Sequence, residues 1–257
     1  MTTATDIDRK SLTEYLLRLG DTSLILGHRL SEWCGHGPVL EEDIAMSNIA
    51  LDLIGQARLL YTYAGTVEGE GREEDDFAFK RDVTDWKNLL LAEQPNGDFA
   101  ATMVRQFLID CFHVELYTAL SKSTDTELAA IAAKSLKEVT YHRRHSGEWI
   151  IRMGDGTEES HRRVQRALDD HWIFVDELFE TDALDAAIVS AGVGPDLKSL
   201  RPAWDSMVDR VLAEATLARP QTDFPRSGGR TGSHSEYLGF ILSDLQFMQR
   251  AYPGMEW

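Results

Sequence analysis

Apolar residues recur along this chain at intervals of three and four, the spacing that places them on one side of an α-helix. The first such segment spans residues 10–34. A second helix is predicted to begin near Leu40, where three acids follow in the first turn, and to end at Gly65. Two more long helices are predicted at about 98–122 and 125–153, so the chain contains the four helices of a bundle.

The second and third long helices are separated by a long acidic connection over residues 66–98, with one short helix predicted near 86–91. Plain up-down bundles have short loops, whereas ferritin-like bundles have one long crossover. No alternation of apolar and polar residues is long enough to predict a strand. The predicted fold class is therefore all-α, a ferritin-like four-helix bundle with additional C-terminal helices.

We interpret residues 1–257 as one domain, with the bundle at about 10–153 and a helical extension at about 158–257. Within the extension, residues 219–233 are rich in Gly and Pro and predict no regular element. The run Gly228-Gly229-Arg230 superficially suggests phosphate binding, but no strand precedes it, so we expect a mobile or partner-docking tail. The helices predicted in the extension lie at about 158–180, 199–216 and 237–250.

Each long helix carries polar residues at positions that the helical spacing would bury. Burying an unpaired carboxylate costs several kcal/mol, roughly, so such residues need partners. For any single helix, a solvated face remains the alternative interpretation. For His28, His142 and His145, a surface position or a position beside a metal ligand is favoured over metal ligation. These polar positions are Asp21, His28 and Glu32; Asn48, Asp52 and Gln56; Gln106, Asp110, His113 and Tyr117; and Lys134, Glu138, Tyr141 or His142, and His145.

Two helices carry an acid where a di-iron protein begins its Glu-x-x-His signature. That spacing places the carboxylate and the imidazole on the same face of one helix, where they bind one metal. Here Asp52 is followed by Gly55, and Glu138 is followed by Tyr141, at the imidazole positions. The sequence therefore predicts a di-iron scaffold whose own metal centre has been lost.

In such a site another positive charge must offset the buried acids. Lys134 precedes Glu138 by four residues and, if it points inward, its ammonium would replace the metal charge, with hydrogen bonds from His113, Tyr141 and Gln56. Asp110-x-x-His113 is the one acid-x-x-His match in the long helices, and alone it supplies too few ligands. The residues of the predicted vestigial site are Glu32, Asp52, Gly55, Asp110, His113, Lys134, Glu138, Tyr141 and His142.

Charge and composition exclude several functions. The formal net charge of -17 opposes binding to nucleic acids and anionic membranes, but a basic protein partner remains compatible with it. Cys34 and Cys111 form no CxxC motif, which argues against a zinc knuckle. No apolar run reaches 18 residues and the first ten residues do not predict a signal peptide, so we expect a cytoplasmic protein.

Longer stretches carry a family resemblance: LRLGD (17–21), RLSEWCGHGPVLEEDIAMSNIALDLIGQAR (29–58), LLLAEQPNGDFA (89–100), RQFLIDCFHVELY (105–117), AAIAAKSLKEVTYHRRHS (129–146) and GGRTGSHSEYLGFILSDLQFMQRAYPGMEW (228–257). Together these stretches resemble the PaaC-type subunits of bacterial ring-1,2-phenylacetyl-CoA epoxidases. The resemblance covers essentially the whole chain.

The resemblance implies a structural subunit of an oxygenase complex. In that family a homologous catalytic subunit, PaaA, holds the di-iron centre and the CoA thioester, and the complex takes electrons from a reductase and uses O2 to epoxidise the aromatic ring. The expected partners are thus a PaaA-type subunit and the other components of the complex, and no cofactor is expected on this chain. The absence of histidine at Gly55 and Tyr141 agrees with a di-iron centre that is held by PaaA and not by this chain.

Two other functions remain open at this stage. One is a free-standing acidic helical module that binds other proteins and has no link to oxygenase chemistry. The other is a self-sufficient di-iron oxidase with a shifted ligand set, which would use Glu32, Asp52, Asp110, His113, Glu138 and His142.

Overall fold

The computed structural model describes residues 7–255, and every regular element in that range is helical. The all-α prediction is therefore confirmed, and residues 1–6 and 256–257 of the predicted domain lie outside the described residues. In chain order the α-helices are α1 (Arg9–Ser31), α2 (Leu40–Glu68), α3 (Glu74–Phe79), α4 (Leu90–Glu93), α5 (Phe99–Leu120), α6 (Thr126–Gly154), α7 (Glu158–Trp172), α8 (Ala183–Ser190), α9 (Arg201–Glu214), α10 (Glu236–Leu245) and α11 (Phe247–Ala251).

The bundle consists of α1, α2, α5 and α6, with the crossover between α2 and α5 as predicted. Aspartates cap three of the four helices. Asp8 accepts the backbone N–H of Ser11 at the start of α1, and Asp98 and Asp125 accept backbone N–H groups in the first turns of α5 and α6. A side-chain acceptor satisfies an amide that has no partner within the helix, which explains why these helices begin where they do.

The predicted end of α2 at Gly65 is wrong. The helix continues to Glu68 and ends at Gly69, whose φ of 74° is the left-handed conformation that favours glycine. Gly65 is inside the helix for a packing reason: a Cβ there would lie 2.3 Å from the carbonyl oxygen of Arg72. This glycine therefore allows close approach of the crossover and does not terminate the helix.

The crossover contains more structure than the sequence predicted. The short helix α3 was missed, and the helix predicted near 86–91 begins only at Leu90. Trp86 precedes this helix in a stretch without regular structure and is fully buried. The Arg81 guanidinium lies 4.4 Å from the centroid of the Trp86 ring. Arg81 also pairs with Asp21 of α1, which anchors the crossover to the bundle through a buried ion pair.

The C-terminal extension differs from its prediction at three points. Helix α7 ends at Trp172 and a separate 3-10 turn, Asp176–Phe179, follows it, while α8 was missed. The final helix is interrupted at Gln246, between α10 and α11. The side-chain amide of Gln246 donates to the carbonyl oxygens of Ala78 and Arg81, so a contact with the crossover fixes the position of this break.

The extension covers one side of the bundle. Helices α7 and α9 pack on α5 and α6, and α8 packs on α1. As a result α5 buries 17 of its 22 residues and α1 buries 16 of 23, whereas α2 buries only 10 of 29. Among residues 7–255, no helix is both long and apolar enough to cross a membrane.

The Gly228-Gly229 part of residues 219–233, for which the sequence predicted a mobile or partner-docking tail, is anchored to the rest of the chain. The backbone N–H groups of Gly228 and Gly229 both donate to Oε1 of Glu177, at 2.9 and 2.8 Å. A Cβ on Gly229 would lie 2.2 Å from the carbonyl oxygen of Asn88, so glycine is required for this contact. The glycine-rich run thus joins the extension to the crossover.

Candidate functional site

Asp110 of α5 lies at the centre of the polar cluster inside the bundle. It is fully buried, and its two oxygens accept hydrogen bonds from Nε2 of Gln106 at 2.7 Å and from the hydroxyl of Ser146 on α6 at 2.8 Å. Burial raises the pKa of Asp110 to about 6, although these hydrogen bonds and the nearby His142 favour the ionised form.

Asp52 of α2 pairs with His142 of α6. The Nε2 of the fully buried His142 donates to Oδ2 of Asp52 at 3.0 Å, while the Asp52 side chain remains 40% exposed. His142 is therefore the buried member and Asp52 the solvent-facing member of the pair. This contact joins the two helices that carry the incomplete di-iron signatures.

Glu138 of α6 and Gln56 of α2 form a second bridge between the same helices. The amide of Gln56 donates to Oε2 of Glu138 at 2.9 Å, and its carbonyl oxygen accepts the hydroxyl of Tyr117 at 3.3 Å. Burial raises the pKa of Tyr117 to about 12, which keeps the phenol protonated as a donor. A carboxylate, an amide and a phenol thus satisfy one another.

His113 lies in the same interior without a compensating partner. Its Nδ1 has no hydrogen-bond partner among the described residues, and burial lowers its pKa to about 3. The Nδ1 of His142 also has no such partner. His113 is therefore a neutral imidazole at neutral pH, and it contributes no positive charge to the buried acids.

Two predicted members of the vestigial site lie elsewhere. Lys134 does not point inward: its side chain is 61% exposed and its ammonium is 3.9 Å from Glu138, so the predicted replacement of metal charge is wrong. Glu32 follows the end of α1, where it pairs with Arg29 and accepts a hydrogen bond from the amide of Asn96. Glu138 thus has the neutral amide of Gln56 as a hydrogen-bond donor at 2.9 Å and the largely exposed ammonium of Lys134 at 3.9 Å.

Asp21, a polar position of α1 outside the predicted vestigial site, belongs to a separate buried cluster. It is fully buried against Arg81 and accepts the hydroxyl of Tyr61 at 2.6 Å. Of the remaining polar positions, His145 donates to Glu42 at 2.8 Å at the rim of the bundle. The central site is thus built from α2, α5 and α6, and the polar residues of α1 serve other contacts.

The residues present do not fit a di-iron centre. Gly55 has no atom within 4 Å of where its Cβ would be, and the Tyr141 side chain is 43% exposed and stacked on His145, so neither position offers a ligand. Both oxygens of Asp110 accept hydrogen bonds from neutral side chains. Within residues 7–255, no three His, Cys, Asp or Glu side chains are arranged to hold a metal ion.

Ser146 was not predicted from the sequence. Its hydroxyl has two acceptors for its single proton, Oδ2 of Asp110 at 2.8 Å and the carbonyl oxygen of His142 at 3.0 Å. The sequence contained a signal for an inward position of Ser146, because this residue lies four residues after His142 and so shares its helix face. A serine at this spacing is common on solvated faces as well, and its role depends on α5 bringing Asp110 opposite it.

A four-helix bundle with a long crossover and acids aligned on inward faces is the architecture of the ferritin-like proteins. Comparison with known proteins identifies the family: the chain belongs to the phenylacetic acid catabolic protein family, whose model matches residues 1–257. It is also 49% identical over 246 residues to the C subunit of 1,2-phenylacetyl-CoA epoxidase from Escherichia coli (strain K12), covering 96% of this chain and 99% of the relative. These findings confirm the resemblance stated from the sequence.

Proposed function

We propose that this chain is the non-catalytic structural subunit of a phenylacetyl-CoA epoxidase and acts in the cytoplasm. In this proposal it pairs with a PaaA-type catalytic subunit, which holds the di-iron centre and epoxidises the ring of phenylacetyl-CoA during phenylacetate catabolism. The family match and the identity with the C subunit of the Escherichia coli epoxidase support this assignment. They argue against the free-standing interaction module.

The observation that carries the proposal is how the central acids are compensated. Asp52 is paired with His142, Asp110 with Gln106 and Ser146, and Glu138 with Gln56. In a working di-iron protein, the metal ions compensate such acids. Here protein side chains already hydrogen-bond each of them. The self-sufficient oxidase with a shifted ligand set gains no support because Glu32 is engaged with Arg29.

A bundle held together in this way can still support a catalytic relative. Its core is fixed by packing and by paired polar groups, so it can present a rigid surface to a partner helix without first binding iron. The role that we propose is to hold the catalytic subunit's helices in place. Loss of this subunit would then lower the partner's stability and turnover together.

The test is co-purification with metal analysis. The chain is co-expressed with the PaaA-type subunit of the same organism under ample iron, the complex is isolated, and iron is measured on each subunit after separation. We expect a stable complex with iron on the partner and less than about 0.1 iron per copy of this chain. Two stoichiometric irons on this chain, after expression or anaerobic Fe(II) titration, would refute the proposal.

A further inference from the structure

Residues 228–235, which we call the strap, lie directly on the backbone of the crossover and lead into α10. A Cβ on Gly232 would lie 2.4 Å from the carbonyl oxygen of Thr84, so glycine is required for this approach. Each end of the strap is hydrogen-bonded to a buried carboxylate. Glu177 accepts two N–H groups at the start, and Oε1 of Glu93 accepts the N–H of the last residue at 2.6 Å. These two carboxylates therefore hold the strap in place.

The hydrogen bonds of His234, in the strap, require a proton that a neutral imidazole does not have. Its Nε2 lies 2.8 Å from the carbonyl oxygen of Trp86, which can only accept, so this nitrogen carries a proton. Its Nδ1 lies 2.9 Å from Oε2 of Glu93, and the two side chains are 1% and 0% exposed. A neutral imidazole has one N–H and cannot donate to both acceptors. The His234–Glu93 pair therefore holds one proton more than a neutral imidazole and a carboxylate would.

The other contacts of Glu93 place this proton on the imidazole. Its Oε1 accepts the N–H of Ser235, and its Oε2 accepts Nδ2 of Asn88 at 2.9 Å. The same Nδ2 also donates to the carbonyl oxygen of Leu89, which fixes it as a donor. Donors at both carboxylate oxygens favour the ionised form of the carboxyl group. His234 is thus an imidazolium that is paired with an ionised Glu93.

Charged side chains on the surrounding elements make other contacts or face solvent. Arg29 of α1 donates to the backbone carbonyl oxygen of Glu93, and Lys87 of the crossover donates to another backbone carbonyl. Arg230 of the strap pairs with an aspartate of α8, and the acid in the first turn of α10 is exposed. Among residues 7–255, Glu93 is the one ion-pair partner of His234. The proton of the pair is therefore held by these two residues alone.

We propose that the attachment of the strap to the crossover is controlled by the proton of the His234–Glu93 pair, and that the strap detaches when this proton is lost at alkaline pH. Without the proton, Nδ1 and the carboxylate are two acceptors that face each other in a buried site, which costs free energy. Detachment brings both groups into water. Free histidine has a pKa of about 6.5, so above that pH the ratio of attached to detached strap should fall by up to about tenfold per pH unit.

Glu177, at the other end of the strap, titrates at lower pH. Burial, assisted by the nearby Glu180, raises its pKa from 4.5 to about 7. The attached strap therefore favours protonated Glu177, and this residue weakens the attachment as the pH rises from about 4.5 to about 7. Above pH 8 Glu177 is mostly ionised. A further change in the attachment between pH 8 and pH 9 therefore reports on the His234–Glu93 pair.

The first measurement is nitrogen-15 NMR of the His234 ring in the full chain, with the signals assigned by comparison with His234→Gln. Chemical shifts of the ring nitrogens distinguish a protonated nitrogen from an unprotonated one. We expect both nitrogens of His234 to carry a proton at pH 8, where free histidine is mostly neutral. An unprotonated Nδ1 at that pH would overturn the proposal.

The second measurement follows detachment of the strap by hydrogen exchange at the N–H of Ser235, corrected for the intrinsic exchange rate at each pH. In the wild-type chain we expect the opening constant to rise at least about fivefold between pH 8 and pH 9. Glu93→Gln should remove this dependence, because its amide donates to Nδ1 of a neutral His234 and its carbonyl oxygen still accepts from Ser235. Oδ1 of Asn88, which has no partner among the described residues, then becomes an acceptor for the new amide. The matched control is Glu236→Gln at the exposed start of α10, which should behave as the wild type.

The outcomes decide the proposal without reference to a partner subunit. Wild-type exchange at Ser235 that is unchanged between pH 8 and pH 9 would overturn it, even with both ring nitrogens protonated. An equal rise in Glu93→Gln would also overturn it, because another group would then control the strap. If Glu93→Gln does not fold, the ring-nitrogen spectrum and the pH dependence of the wild-type chain still decide between the two states of His234.

Discussion

Asp110 is a residue whose charge the fold compensates only in part. Burial raises its pKa to about 6, and an unfolded aspartate has a pKa near 3.9. Between about pH 4 and pH 6 the folded state therefore binds more protons than the unfolded state. Stability falls as the pH rises through this window, and the full cost of the buried charge is present above pH 6.

Replacing Asp110 with Asn should remove this pH dependence. Asn has the same shape, can still accept from Gln106, and can donate to Ser146, so we expect the free energy of unfolding at pH 7.5 to rise by about 2 kcal/mol. The gain should shrink as the pH falls toward 4.5. Urea denaturation at several pH values measures it, with the exposed Asp244→Asn as control; an equal effect at every pH would contradict the argument.

Removing the acceptor altogether should have the opposite effect. Asp110→Ala leaves the amide of Gln106 without its partner in a fully buried position and opens a small cavity. We expect it to lower the free energy of unfolding by about 1–3 kcal/mol at pH 7.5. The same urea series measures this change. Because the substitution also removes the buried charge, its cost should grow as the pH falls toward 4.5, and a variant as stable as the wild type at pH 4.5 would show that Asp110 contributes nothing to the core.

At the level of single residues, the sequence predicted the burial of Asp110, but neither the exposure of Glu32 and Asp52 nor the groups that contact these acids. Asp110 is buried at almost any rotation of α5, because nearly the whole helix is buried. Lys134 and Ser146 are on α6, which buries only 10 of its 29 residues, so its rotation determines which side chain turns inward. That rotation depends on packing against α5 and α7, which the sequence of α6 alone does not specify.

Among the elements, the connection through Glu177 determines how the C-terminal extension is attached. Its Oε1 accepts the N–H groups of Gly228 and Gly229, and its Oε2 accepts the N–H of Leu90 at the start of α4. One carboxylate thus links the 3-10 turn after α7, the glycine-rich segment and the crossover. Burial raises its pKa to about 7 despite these three donors.

Glu177→Ala should loosen all of these contacts at once. We expect amide hydrogen exchange at Gly228, Gly229 and Leu90 to accelerate at least tenfold, because these donors lose their acceptor, and stability to fall by about 1–3 kcal/mol. Exchange in α5 should change little. Glu180→Ala, an exposed site three residues later, is the control, and unchanged exchange at Gly228 and Gly229 would show that other contacts hold the segment.

Element boundaries were predictable where local chemistry sets them. The aspartate caps place the starts of α5 and α6 within a residue of the prediction. The continuation of α2 past Gly65 and the break at Gln246 depend instead on contacts outside the helix, with Arg72 in one case and with Ala78 and Arg81 in the other. Local propensity carries no information about such contacts. Helices α3 and α8 were missed although each begins with a local capping box, Glu73 with Asp76 and Asp182 with Asp185.

For the whole molecule, the question is whether folding depends on a metal ion. A ligand that binds only the folded state raises its stability by RT ln(1 + [L]/Kd), so a di-iron site with micromolar affinity would shift Tm by several degrees. The acids of the central site are hydrogen-bonded by protein side chains, and helices α2, α5 and α6 are joined through these bonds.

We therefore expect the Tm of the isolated chain to change by less than about 1 °C between a chelator and anaerobic Fe(II) at about 100 µM. Calorimetry at about 150 mM salt measures it, since the net charge of -17 attracts cations weakly and salt screens that attraction. Mg²⁺ at the same concentration is the control for such non-specific binding. A rise of several degrees with Fe(II) but not with Mg²⁺ would mean that iron binds in the folded core and displaces the hydrogen bonds among these side chains. That result would restore the hypothesis of a di-iron centre on this subunit.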